Sequence, residues 1–181
     1  VFASDMAMKV TTDAVQVRAF GDLAVLHGVF HGHTPPGERA SVRYTDVYAW
    51  QDGRWQLVSG QNTPIKPGMP AQDDVAMPPH IATPWQGHDP IGEDLAVLTV
   101  LNEQYVQAFR DADVAWYDAH LAPDYQVVFG DGSRHDRSAA LADFAKPYYA
   151  NGIASFPLNE VRIRVFGDVA LIHAQNAYTL K

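Results

Sequence analysis

Two histidines, His27 and His173, stand at the same place in a repeated stretch and are the first candidates for chemistry. Val15-Gln-Val-Arg-Ala-Phe-Gly-Asp-Leu-Ala-Val-Leu-His27 matches Val161-Arg-Ile-Arg-Val-Phe-Gly-Asp-Val-Ala-Leu-Ile-His173 at seven of thirteen positions, with a constant offset of 146 residues. Imidazole titrates close to neutral pH, so it can give or take a proton or anchor a polar group. Strand alternation puts His27 on one face with Leu23, Val25, Val29 and His31. That face either lines a pocket or packs into a core or an interface. On a strand at 42–50, Arg43 shares a face with Thr45, Val47 and Ala49. A guanidinium beside a hydroxyl suits an anionic or carbonyl-bearing ligand, and equally an ion pair with a helix carboxylate. Gln61 is a pocket-rim candidate, and Trp116, with Tyr117 and His120 on a short helix, either closes one pocket end or packs.

Other chemistries fail on residue type or spacing. The chain has no cysteine, which removes thiolate nucleophiles and Cys-ligated metals. His31 and His33 share one side of an extended strand but have no third convergent ligand, and neither a His-Glu-x-x-His run nor an acidic calcium loop occurs. Gly130-Asp-Gly132 lacks the glycine spacing of the nucleotide loops, and Ser59-Gly60 has no nucleophile elbow around it. No metal and no cofactor is expected, and no catalytic residue is assigned.

The elements that position these residues follow from periodicity. Strands are predicted over 15–20, 23–31, 41–50 and 54–62, with hairpins at Gly21-Asp22 and Asp52-Gly53. Residues 1–14 carry no clear pattern, and Thr11-Thr12-Asp13 has turn composition. Residues 32–40, with Pro35 and Pro36, form a longer connection. Between Pro64 and Pro90 fall seven of the twelve prolines, so 64–92 is expected to be an extended linker, pinned in places by Met77, Ile81 and Trp85. A helix over 93–111 carries the stripe Leu95, Leu98, Leu101, Tyr105 and Phe109. Asp113 caps a shorter helix through Leu121, residues 125–129 form a strand, Asp136 caps a third helix through Ala145, and the repeated hairpin spans about 159–178. The expected organisation is a strand-rich part of a first unit (1–63), the linker (64–92) and the helices and first strands of a second, related unit (93–181). Each unit is partial. Either the chain is a section of a longer tandem protein, or strands of one copy complete the sheet of another.

Charge bounds the partners. Thirteen Lys and Arg against 21 Asp and Glu give a formal charge of -8, and without a basic block no nucleic-acid partner is expected. No apolar run approaches the roughly 20 residues of a membrane span, so no membrane partner is expected either. The chain is read as soluble, cytoplasmic or exported. It begins at Val1 without Met, which leaves room for a removed leader.

The order helix, short helix, strand, third helix, then Val-x-Val-x-x-Phe-Gly-Asp-x-Ala, with Arg43-Tyr-Thr-Asp-Val-Tyr-Ala-Trp50 and Gly53-Arg-Trp-Gln-Leu-Val-Ser-Gly-Gln61, resembles the NTF2-like superfamily. The similarity is to its SnoaL-like or DUF4440 branch, related to ketosteroid isomerase, and covers about 1–63 and 93–181. It implies an α+β cone in which a curved antiparallel sheet and covering helices enclose a pocket, with sheet-mediated homodimerisation. By that resemblance Tyr105 looks like the helix-one tyrosine that donates to a developing oxyanion. Phe129 stands where the isomerase has its carboxylate base, and Val42 where it has its protonated acid. The isomerase set is therefore incomplete. The expected function is a small-molecule binding or protein-association domain, with a hydrophobic small molecule as partner. The alternative is a cofactor-independent lyase, isomerase or cyclase acting on a hydrophobic carbonyl compound.

Overall fold

The computed structural model describes residues 9–33, 39–66 and 91–181. The Pro-rich stretch, with Met77, Ile81 and Trp85, lies outside the described residues except at its two ends. The fold is α+β with antiparallel sheets, consistent with an NTF2-like architecture. The chain divides into two compact units. One contains the first four strands together with Val127–Arg134, and the other contains the remaining residues up to Gln126 and His135–Lys181.

In the first unit β1 (Lys9–Phe20), β2 (Leu23–His33), β3 (Arg39–Gln51) and β4 (Arg54–Pro64) form a meander in sequence order. Phe20 pairs with Leu23, which leaves Gly21-Asp22 as a two-residue loop. Gly21 has φ 56° and Asp22 is not among the positive-φ residues, the pattern of a II′ turn, whose twist matches that of the flanking strands. At the next hairpin both Asp52 and Gly53 are positive, at 52° and 74°, as a I′ turn requires.

Thr11-Thr12-Asp13 is strand and not the turn that its composition predicts. The physical reason is a β-bulge: the β1–β2 register shifts between Asp13 and Gln16, and Ala14 takes φ 50°. The extra residue lets the strand continue past a segment that breaks simple alternation. The same device recurs in β8 (Leu158–Phe166) against β9 (Val169–Asn176), where the register shifts between Asn159 and Arg162 and Glu160 has φ 52°. Both bulges, both positive-φ residues and the pairings Gln16 with His27 and Arg162 with His173 stand at the offset of 146 found in the sequence.

The Val127–Arg134 hairpin is bolted to the four-stranded sheet. Arg43 Nε donates to the Gly132 carbonyl at 2.6 Å, and the Lys66 amide donates to the Asp131 carbonyl at 3.3 Å. Asp131 closes the turn itself, accepting from the Ser133 amide and hydroxyl at 2.9 and 2.7 Å. These bonds hold its carboxyl below the usual range. Gly132 sits at φ 87°, and a Cβ there would lie 2.8 Å from both the Ile65 Cα and the Pro64 carbonyl oxygen. Backbone cannot move aside as a side chain can, so Gly132→Ala is expected to lower the stability of this unit by about 1–3 kcal/mol. Urea denaturation checks this, and an unchanged midpoint would show that the hairpin is not seated on β4.

The second unit begins with α1 (Ile91–Asp111) and α2 (Val114–His120). The strands β5 (Gln126–Val128) and β6 (Arg134–Asp136) pair across the turn at the boundary between the units. Then follow α3 (Arg137–Phe144), α4 (Tyr148–Gly152), β7 (Ile153–Ser155), β8, β9 and β10 (Thr179–Leu180), which pairs with β7. Asp113 accepts from the Trp116 amide at 3.0 Å and Asp136 from the Ala139 amide at 2.8 Å, so each predicted cap satisfies a donor that the helix itself cannot. The short helix α4 has no sequence signal, because Pro147 at its N-cap offers no side-chain bond. Val106, Ala108, Tyr117, Ala140, Phe144 and Ile153 form the core. Arg110 tethers α1 to the following segment by donating to the Phe156 carbonyl at 2.7 Å, with Phe109 packed on Phe156. Among the described residues no helix is long and apolar enough to cross a membrane.

Candidate ligand site

Strand register brings three of the sequence-predicted residues onto one face of the first unit. Gln16, His27, Thr45 and Gln61 form a row across all four strands, and the adjacent row is Asp13, Val29, Arg43 and Thr63. In the other direction the next row is Arg18, Val25, Val47 and Ser59, and beyond it the face turns apolar at Phe20, Leu23 and Ala49. The floor is therefore amphipathic, with a buried apolar end and a hydrogen-bonding end.

At the polar end, His27 Nδ1 lies 3.1 Å from Thr45 Oγ1. Its Nε2 is buried and has no hydrogen-bond partner among the described residues. Burial, then the positive charges of Arg18 and Arg134, lower the His27 pKa to about 4. The ring is neutral at pH 7, because protonation would place a third charge in a desolvated region that already holds two cations. Arg18 and Arg134 were not singled out by sequence. Arg18 had a signal, since Arg164 is its identical repeat counterpart, whereas only the docking of the hairpin reveals Arg134. Arg43, 4% exposed, acts first as the bolt to Gly132. Gln61 is exposed at the rim.

A second network on this face looks like a nucleophile relay. His31 Nε2 lies 2.9 Å from Asp13 Oδ2, and His31 Nδ1 lies 2.7 Å from Ser41 Oγ. Asp13 as a carboxylate only accepts, so Nε2 carries the hydrogen and Ser41 donates to Nδ1. Acyl transfer would also need amide donors converging on the reacting carbonyl. Ser41 lies on an interior strand, facing His31 of β2 while its carbonyl accepts from the Ile65 amide. The network staples three strands. His31 is thereby committed, and the side chain of His33 lies outside the described residues. Among the described residues no group of three His, Asp or Glu could hold a metal ion.

In the second unit, Tyr105 is the centre of an aromatic cluster and not a lone donor. Its ring meets Trp116, Tyr117 and Phe144 at 6.1, 5.1 and 6.3 Å, all edge-on. Its hydroxyl is hydrogen-bonded to that of Tyr125, and burial raises the pKa of both. Tyr117 donates to the Tyr105 carbonyl at 2.9 Å. Trp116 stacks on His120 with centroids 4.1 Å apart, and His120 Nδ1 lies 2.7 Å from the Trp116 carbonyl. A carbonyl only accepts, so Nδ1 carries the hydrogen and Nε2 keeps the lone pair.

His173 is exposed. It has the register of His27, but β9 pairs only with β8 among the described residues, so no third strand supplies a counterpart of Thr45. Repeat equivalence thus gives the two histidines the same strand position and different surroundings.

The segment from within α1 to the last strand, residues 98–181, matches the family model of the SnoaL-like domain. The SnoaL-like domain belongs to the NTF2-like superfamily, a fold of ligand-binding and of isomerase or cyclase type. It takes in the Tyr105 cluster and most of α1, and the four-stranded sheet with His27 precedes it. No curated protein matches the chain, and no solved structure does.

Proposed function

We propose that this protein binds a small molecule on the His27 face of its four-stranded sheet. One observation carries this reading: a buried imidazole nitrogen that has no hydrogen-bond partner among the described residues, next to the buried apolar side chains of the same sheet face. A buried polar atom that lacks a bond destabilises the fold unless something completes it, and a floor with one apolar and one polar end matches an amphipathic ligand. The SnoaL-like assignment of residues 98–181 supports a binding fold in the same chain. The test is NMR observation of the His27 ring protons during screening of small aromatic acids, amides and ketones. Binders should shift them and should bind His27→Gln at least about tenfold more weakly, a loss of about 1.4 kcal/mol. Binders that leave these protons unmoved would put the site elsewhere.

The Tyr105–Tyr125 hydroxyl pair favours a second reading, a cofactor-independent isomerase, lyase or cyclase acting on a hydrophobic carbonyl compound. With Tyr125 as the donor of that pair, the Tyr105 proton is left to polarise a substrate oxygen, and Nε2 of His120, stacked on Trp116, supplies a lone pair to take a proton. With 2-tetralone as probe, solvent deuterium exchange should fall by about 100-fold in Tyr105→Phe. Equal exchange in both proteins would remove Tyr105 from the chemistry.

Tandem architecture belongs with this proposal. The shared turn, bulge and register of the hairpins at 9–33 and 158–176 support two related units, in which the first, 1–63, and the second, 93–181, flank a linker at 64–92. Val17, Trp50, Trp55 and Leu57 are exposed on the sheet face opposite His27, which supports self-association through the sheet.

A further inference from the structure

We propose that the outer edge of β9, in the second unit, pairs with the same edge of a second copy of this chain. The repeat shows what such an edge does. β2, the counterpart of β9 at the offset of 146, pairs with β1 on one side and with β3 on the other, from Leu23 opposite Ala49 to His33 opposite Arg39. In an antiparallel strand, alternate residues turn their backbone groups to opposite neighbours. Phe166 and Val169 close the β8–β9 turn, so Val169 and Leu171 bond to β8, and the N–H and C=O groups of Ala170, Ile172 and Ala174 point away from it. The corresponding side of β2 is the one that β3 occupies, starting at the Asp22 carbonyl, which accepts from the Trp50 amide at 2.7 Å. Among the described residues β9 pairs only with β8.

An unpaired strand edge is a template for another strand, and folds that keep an edge apart blunt it with charge, proline or a bulge. The other outer strands carry these devices. β1 has Lys9, Asp13, Arg18 and a bulge, β4 has Arg54 and ends on Pro64, and β8 has Glu160, Arg162, Arg164 and a bulge. β9 has none of them: no Asp, Glu, Lys, Arg or Pro lies between Val169 and Leu180, and Ile172 is exposed. Symmetry selects the occupant. Two copies of one strand related by a two-fold axis run antiparallel, the polarity that β3 shows on β2. No Asp, Glu, Lys or Arg of β9 is brought against its own copy, an arrangement that like charges would oppose. A strand of other origin would need a free edge of its own, whereas a second copy always brings one. The contact is separate from the face of Val17, Trp50, Trp55 and Leu57, which belongs to the first unit.

Sedimentation equilibrium and amide hydrogen exchange of the full chain test this. Self-association is expected, and the amides of Ala170 and Ile172 should exchange at least about tenfold more slowly in concentrated than in dilute protein. Ala174→Pro leaves the β8 ladder intact, because the lost N–H lies on the outer side, and should weaken self-association at least about tenfold. Ile172→Lys, at an exposed position, should do the same by placing charge on the edge and serves as the second variant. A chain that stays monomeric would overturn the proposal. Association that both variants leave unchanged would place the contact on another surface and overturn it too. Protection of the two amides that does not change with concentration would show that β9 is covered within its own chain, and would overturn it as well.

Discussion

Tyr117→Ala is expected to lower the stability of the second unit by about 3–5 kcal/mol, the range for removing a large aromatic ring from a packed core. Tyr117 is 0% exposed. Its ring stacks on Phe144 at 4.2 Å and meets Tyr105 and Trp116 edge-on at 5.1 and 5.4 Å. It is therefore the point where α1, α2 and α3 converge. Its hydroxyl adds a bond to the Tyr105 carbonyl, and burial holds that phenol in its protonated form by raising its pKa. Tyr117→Phe keeps the ring and removes only this bond, so it should cost about 1 kcal/mol. Urea denaturation followed by near-ultraviolet circular dichroism separates the two. An alanine variant that loses less than the phenylalanine variant would mean that the cluster is loosely packed and that Tyr105 is not held by it.

Acid should destabilise the first unit through His27. Its folded pKa of about 4 lies below the ordinary imidazole value of 6.5, so between these values the unfolded chain binds a proton that the folded chain refuses. Stability contributed by the neutral ring is fully present above pH 6.5, falls as pH drops toward 4 and is gone below it. The shift corresponds to about 3 kcal/mol lost across that window. His27→Gln, which keeps a polar group of similar reach and does not titrate, should flatten the stability profile between pH 6.5 and 4 while leaving the acid response of the carboxylates. A wild-type profile already flat there would show that water reaches the ring.

Local chemistry was legible in the residues themselves. Gly-Asp and Asp-Gly set the turns because positive φ is open to few residue types, and Asp113 and Asp136 mark helix starts because a short carboxylate reaches the free amides of a first turn. Alternation put His27, Arg43 and Gln61 on faces that register then joined. Other features carried no such mark. The bulge at Asp13–Gln16 hid the start of β1, because an inserted residue breaks the period on which strand recognition depends. The helix α4 follows a proline that ordinarily ends structure. Tyr105 has the spacing of a stripe residue whether it packs or donates, and only its four aromatic neighbours show that it is packed and hydrogen-bonded at once.

What the sequence alone determined is the repeated hairpin with its two-residue turn, together with the α+β class and the SnoaL-like resemblance. These depend on interactions within a few residues or across one tight turn. Only the tertiary structure decided that His27 is buried beside Thr45 and two arginines while His173 is exposed. Identical side chains at identical strand positions diverge because burial and charge come from strands and loops distant in sequence. Arg134 reaches the first sheet from more than 100 residues beyond His27, and no local pattern encodes where such a segment docks.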